Sequence, residues 1–232
     1  MVQARRSQMR RHIKEFVELT AGLLELPGPI FEFGAFQTPG QEGESDLRPF
    51  FPGREYVGCD MRQGPGVDRV LNLHALDLAE ASVGAVLSLD TLEHVEFPRK
   101  AMSEMHRVLA EGGIAVISSV MNFPIHAYPN DYWRFTPEAF RSLLQEFDSS
   151  VVASAGESAF PHTVVGIGAK GRALPCDELD ARLAEWSARS FRPRQWPGSR
   201  SFKGSVERML VPLTPPLVFD VYRRLRGRSP RG

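Results

Sequence analysis

Phe31-Glu32-Phe33-Gly34, Glu55-Tyr56-Val57-Gly58-Cys59-Asp60 and Ala85-Val86-Leu87-Ser88-Leu89-Asp90 are three short apolar runs, each with an acidic residue at or near its end. Runs of this length between turn residues predict buried strands of a parallel sheet. In a doubly wound α/β sheet, ligands bind outside the carboxyl ends of the strands. Glu32, Asp60 and Asp90 are therefore expected to converge on one crevice, and three carboxylates there favour a cation.

Most nucleotide crevices of this architecture hold phosphate, through glycines that let backbone N–H groups approach the anion at a helix N-terminus. After Gly34 this chain reads Ala35-Phe36-Gln37-Thr38-Pro39-Gly40-Gln41-Glu42-Gly43, with bulky Phe36 where a second glycine is expected and no Lys or Arg. A ligand with an adenosine end, no phosphate and positive charge fits better. A nicotinamide-dependent oxidoreductase would need the Gly-x-Gly-x-x-Gly turn that this stretch lacks.

Working outward, a helix is predicted over 5–25, where Ile13, Phe16, Val17, Thr20, Leu23 and Leu24 recur at helical spacing behind a basic face of Arg5, Arg6, Arg10, Arg11 and Lys14. Strands are expected at 30–34, 55–59, 68–71, 83–89, 114–119, 150–155 and 163–168. The stretch 45–51 has room only for a short helix before Pro52-Gly53. Pro98 starts a helix carrying Ala101, Met102, Met105, Val108 and Leu109 and ended by Gly112-Gly113. Pro137 starts another with Phe140, Leu143, Leu144 and Phe147, and a helix is expected over 177–190. The pattern is that of an α/β fold: a doubly wound, Rossmann-like, seven-stranded, mostly parallel sheet in an alternating β/α series. The expected organisation is an N-terminal amphipathic helix (1–27), a core domain (28–171) and a basic Pro/Arg-rich C-terminal extension (172–232).

The chain has 232 residues, 42% of them hydrophobic, with 28 Lys and Arg balancing 28 Asp and Glu. That length suits one α/β domain with appendages, and zero net charge argues against a general nucleic-acid binder. No apolar run approaches the ~18 residues of a membrane span, and the arginine-rich N-terminus lacks the apolar region of a secretory signal. The cytoplasm is the expected location. Cys59 and Cys176 lie far apart in sequence, and no disulfide is expected. The extension, with Arg192, Arg194, Arg200, Lys203 and further arginines to Arg231, is a candidate contact for a second copy or a peripheral surface.

Leu89-Asp90-Thr91-Leu92-Glu93-His94-Val95 and Arg107-Val108-Leu109-Ala110-Glu111-Gly112-Gly113 resemble the class I S-adenosylmethionine-dependent methyltransferases. The likeness is to the broad group with a Leu-Glu-His signature after strand four, and it covers roughly residues 28–170. S-adenosylmethionine carries a sulfonium and an ammonium and no phosphate, as the acidic crevice asks. The resemblance implies that Glu32 and Gly34 lie beside its methionine portion and that Asp60, followed by Met61, accepts hydrogen bonds from both ribose hydroxyls. A carboxylate, an acceptor only, suits a vicinal diol. It also implies that Asn72, Leu73 and His74 flank the adenine and that Asp90 sits near the methionine end. Of the group's glycine-rich first motif only Glu32 and Gly34 remain, so a catalytically degenerate binding or scaffold protein is the alternative.

The expected reaction is methyl transfer to a small-molecule or glycan acceptor, at oxygen rather than nitrogen. A hydroxyl nucleophile needs its proton removed, and the candidate groups are His126, His94 and Asp131. The aromatic and charged loop after strand five offers Tyr128, Tyr132, Trp133 and Arg134 for acceptor binding. It also reads as a packed lid in which Asp131 and Arg134 pair. Asp90, Asn122 and Asp131 have oxygen-ligand chemistry, but their spacing fits no compact metal motif and the histidines are scattered, so no metal is expected.

Overall fold

The computed structural model describes residues 2–38, 43, 45–126 and 129–190. Tyr128 and the basic segment from Arg192 to Arg231 lie outside the described residues. The elements are α1 (Val2–Leu23), β1 (Ile30–Phe33), β2 (Tyr56–Asp60), β3 (Arg69–Val70), β4 (Val83–Ser88), α2 (Pro98–Val108), β5 (Leu109–Val120), α3 (Pro137–Leu143), β6 (Ser149–Glu157), β7 (Phe160–Ala169) and α4 (Cys176–Ser190).

The seven strands form one sheet in the order β3-β2-β1-β4-β5-β7-β6. β1 pairs in parallel with both β2 and β4, and β7 runs antiparallel between β5 and β6. The chain leaves β1 in one direction through β2 and β3 and returns through β4 in the other. That reversal opens a crevice beyond the carboxyl ends of β1 and β4. Phe33 pairs with Cys59 and with Ser88, so the acid-bearing ends of the three strands are level.

Both faces of the sheet are covered, which is why its central strands are apolar throughout rather than alternating. Phe31, Phe33, Val86 and Ile117 face a cluster built with α2 and α3. Ile30, Ala85, Leu87 and Val116 face a second cluster with α1 and α4. Leu179, Leu183 and Trp186 bury the inner side of α4, and the Trp186 indole donates to the His12 carbonyl at 3.0 Å.

Two expectations need correction. The series does not alternate strictly: the β1–β2 connection holds a 3-10 turn at Arg48–Phe50, and β6 and β7 form a hairpin, so helical crossovers join β4 to β5 and β5 to β6. The second helix also stops at Val108, not at Gly112-Gly113, and Leu109 already pairs with Val83. The Lys170 ammonium caps that end by donating to the carbonyls of His106 and Leu109, groups that a helix terminus leaves unsatisfied. Gly112, at φ +78°, turns the chain into the rest of β5. α3 begins as expected, with the Thr136 hydroxyl accepting from the Ala139 N–H at 3.1 Å and Pro137 in the first turn.

Candidate active site

A cleft of about 250 Å³ opens at the carboxyl ends of the strands. Glu32 and Gly34 reach it from β1, Asp60 and Met61 from the end of β2, Asn72, Leu73 and His74 from the turn after β3, and Asp90 from the end of β4. His94 and His126 line it too. Asp131, Tyr132, Trp133 and Arg134 do not, and Tyr128 lies outside the described residues.

The first turn is shaped by one close approach. Gly34 sits at φ +92°, and a Cβ there would lie 2.0 Å from the Thr91 hydroxyl. The hydroxyl is itself held between the Phe33 and Leu89 carbonyls at 3.2 and 3.0 Å. Only glycine fits both the backbone conformation and the space. Phe36 is accommodated by a second glycine, because a Cβ on Gly64 would fall 2.3 Å from the Phe36 ring. Arg62 covers that ring with its guanidinium 4.3 Å from the centroid, and its Nε reaches Asp60 Oδ1 at 3.3 Å.

The acids are individually held. The Tyr56 hydroxyl donates to Glu32 Oε2 at 2.7 Å, and burial with the Glu32 charge pushes the phenol far above its ordinary range. Asp60 Oδ1 also accepts the Arg62 N–H at 3.0 Å. Asp90 stands at φ +48°, and Ser118 both accepts from its N–H and donates to its Oδ1, at 3.0 and 2.9 Å. Asn72 Oδ1 accepts the His74 N–H, and the His74 ring accepts the Phe97 N–H, which ties this turn to the start of α2.

On the far side of Asp90 lies a residue that the sequence reading did not single out. Glu93 is fully buried. Its Oε2 accepts the Ser119 hydroxyl at 2.6 Å, while Oε1 has no hydrogen-bond partner. Burial first, and the Asp90 charge second, push its carboxyl up to about 8. The backbone N–H groups of Tyr132 and Trp133 donate to the Glu93 carbonyl, which pins the loop after β5 to this turn. The only sequence signal for Glu93 is its place between Leu92 and His94.

The two histidines meet beside Glu93, with ring centroids 4.7 Å apart and nearly perpendicular. His94 Nδ1 is bonded to the Asn130 carbonyl. His126 Nδ1 lies 3.1 Å from the Pro124 carbonyl and 3.2 Å from Asp131 Oδ2. Burial lowers the His126 imidazole below its ordinary value. Asp131, with a side chain only 3% exposed, accepts from Arg134 Nη2 at 2.7 Å and from the His126 N–H at 2.8 Å. Arg134 holds its carboxyl far below the usual carboxylate range. The Trp133 indole is turned to the Val95 and Glu96 carbonyls.

The donor set fits the donor molecule that the sequence suggested. The cleft offers carboxylates to a cation and a glycine turn to a close ligand. Within the stretch Ala35–Thr38 there is no cationic side chain for a phosphate.

Residues 55–117, which carry β2 to β5 and most of these groups, match the family model described as a methyltransferase domain. A SAM-dependent methyltransferase of Thermotoga maritima, described as a possible histamine N-methyltransferase, is similar over 71% of this chain and 91% of its own, at 17% identity and a TM-score of 0.53. A SAM-dependent methyltransferase of Archaeoglobus fulgidus is similar over 69% of this chain and 94% of its own, at 13% identity and a TM-score of 0.54. The CMeT domain of the citrinin polyketide synthase follows over 72% of this chain and 53% of its own, at 12% identity and a TM-score of 0.52. No curated protein matches. At these identities the solved structures share the fold.

The fold is that of the class I S-adenosylmethionine-dependent methyltransferases, and residues 55–117 match a methyltransferase domain within it. That match and the shared fold support an enzyme that uses S-adenosylmethionine. Among the described residues, no helix is long and apolar enough to cross a membrane.

Proposed function

We propose that the enzyme methylates an oxygen atom of a small hydroxylated molecule or glycan. The observation that carries this reading is the meeting of His94, His126 and buried Glu93 in the same cleft as Glu32, Asp60 and Asp90. One end is acidic and suits the cationic donor. The other end carries imidazoles and suits a nucleophile that must lose a proton.

In this reading Asp60 accepts the two ribose hydroxyls, and the turn Asn72-Leu73-His74 borders the adenine. Glu32, Gly34 and Asp90 border the methionine portion, with Met61 covering the outer side of the cleft. When bound, S-adenosylmethionine supplies an electrophilic methyl group whose leaving group is a neutral thioether. The protein's task is then alignment, worth about 7–11 kcal/mol in favourable intramolecular cases, together with removal of the hydroxyl proton.

His94 and His126 stand where that proton leaves. Asp131 acts through His126: it holds the ring and its backbone from behind and does not reach the cleft. Tyr132, Trp133 and Arg134 frame the acceptor entrance from the loop. Tyr132 and Trp133 are half-exposed, and Phe97 and Ile125 are further exposed apolar groups. Aromatic faces at such an entrance suit a sugar ring or a flat phenol.

Incubation with S-adenosylmethionine and a panel of phenolic, sugar and amine acceptors, read by mass spectrometry, tests the proposal. A gain of one methyl group on a hydroxyl is expected. Methylation confined to amines would overturn the oxygen assignment.

A further inference from the structure

Glu93, His94 and His126 each offer one ligating atom, and these atoms all lie within 4.8 Å of one another. Two imidazole nitrogens and one carboxylate oxygen make a three-point donor set for a divalent transition metal, with positions left over for exogenous oxygen ligands. Tetrahedral ligands at about 2.1 Å from one ion sit about 3.4 Å apart, so side-chain movements on the order of an ångström would close the cluster.

A second, independent observation points to a cation here. Glu93 is fully buried, lines the cleft, and leaves Oε1 without a hydrogen-bond partner. A buried carboxylate oxygen with no donor costs about 1–3 kcal/mol or more, and folded chains retain such groups where something else satisfies them. The surroundings are those of ligands rather than of a packed polar core. The Asn130 and Pro124 carbonyls can only accept, so a neutral ring bonded to either of them carries its proton on Nδ1. Oxygen acceptors behind Nδ1, with Asp131 adding a carboxylate for His126, are what orient metal-binding histidines. The three residues come from a 3-10 turn at Leu92–His94 and from the loop after β5, which the bonds from Tyr132 and Trp133 to the Glu93 carbonyl hold together.

We propose that Glu93, His94 and His126 bind one divalent transition-metal ion, of the Mn²⁺, Fe²⁺ or Zn²⁺ type, at the acceptor end of the cleft. The inference deepens the proposed O-methylation and rests on that reading for its purpose. With the ion in place, the imidazoles bind it through the nitrogen that would otherwise take the hydroxyl proton. The ion then draws an acceptor hydroxyl, or two neighbouring hydroxyls, to the open positions and lowers the pKa of the bound oxygen, whose proton leaves to water at the mouth of the cleft. The substrate class narrows to acceptors that chelate through oxygen, such as vicinal diols and catechols.

The test is metal binding, read without turnover. Full-length protein stripped with chelator is dialysed against Mn²⁺ or Zn²⁺ and the bound metal counted by mass spectrometry. X-ray absorption on the Zn²⁺ form reports the imidazole ligands. About one ion per chain with two imidazoles is expected. His126→Ala and His94→Ala are each expected to weaken binding at least about tenfold, with circular dichroism confirming that they fold. Glu93→Gln should behave in the same way, and the histidine variants carry the test if it does not fold. Binding below a tenth of an equivalent at about 1 mM metal, a preference for Mg²⁺, or equal binding by the histidine variants overturns the inference. S-adenosylmethionine binding is measured on the same samples. If it persists while metal binding fails, the cation site alone falls; if both fail, the proposed function falls with it.

Discussion

A Cβ at Gly34 would lie 2.0 Å from the Thr91 hydroxyl oxygen, so the β1 turn and the β4 turn fit together only because residue 34 has no side chain. The contact fixes the floor of the cleft between two acids, Glu32 and Asp90. Gly34→Ala is expected to lower stability by about 1–3 kcal/mol and to weaken S-adenosylmethionine binding. Thr91→Ala in the same chain removes the nearest atom and should restore part of the loss, leaving the cost of an alanine at positive φ. Denaturant melts of the single and double variants check this.

Asp131 and Arg134 form a partly buried ion pair, with side chains 3% and 26% exposed. Asp131→Ala leaves the guanidinium with only the Phe123, Pro124 and Trp133 carbonyls and no countercharge, and is expected to cost about 3 kcal/mol. The Arg134 hydrogen bond holds the carboxyl well below its ordinary value. The stabilisation is therefore present above the unfolded-state value near 4 and fades as the pH falls further. Urea melts of wild type and variant should differ at pH 7 and converge in acid.

His12 stacks flat on Trp186, with centroids 3.9 Å apart, and burial brings its imidazole down to about 3. Below pH 6.5 the unfolded chain takes up a proton that the native ring refuses. Stability should accordingly fall as the pH drops from about 6.5 towards 3, by up to about 1.4 kcal/mol per unit. His12→Phe is expected to flatten this slope in pH-dependent thermal melts. An unchanged slope would mean that another group titrates.

The sheet was legible because buried parallel strands are continuously apolar, and β1, β2 and β4 each carry an acid at or near the end beside a turn. The eight residues expected to border the cofactor all line one cleft because strand ends fix their height. The end of α2 was harder to place. Val108 and Leu109 are apolar at positions that serve either helix or strand, and the Val83 pairing with Leu109 decides between them. Glu93 was legible only as part of the Leu-Glu-His run, and neither its burial nor the meeting of His94 with His126 could be read from the sequence. They depend on the loop after β5 folding back onto the Glu93 carbonyl, a contact across about forty residues that no local pattern encodes. Phe36 looked like a defect in the first motif, and the space for it comes from Gly64.

Asp60 carries the most direct claim, since its carboxylate is assigned to the ribose of the donor. Titration calorimetry of wild type and Asp60→Ala with S-adenosylmethionine and S-adenosylhomocysteine measures it. One site per chain with micromolar affinity is expected, weakened at least about tenfold in the variant, as loss of a charged hydrogen-bond acceptor worth about 1.5–3 kcal/mol requires. No binding to wild type at millimolar ligand, or equal binding by both proteins, would contradict the account.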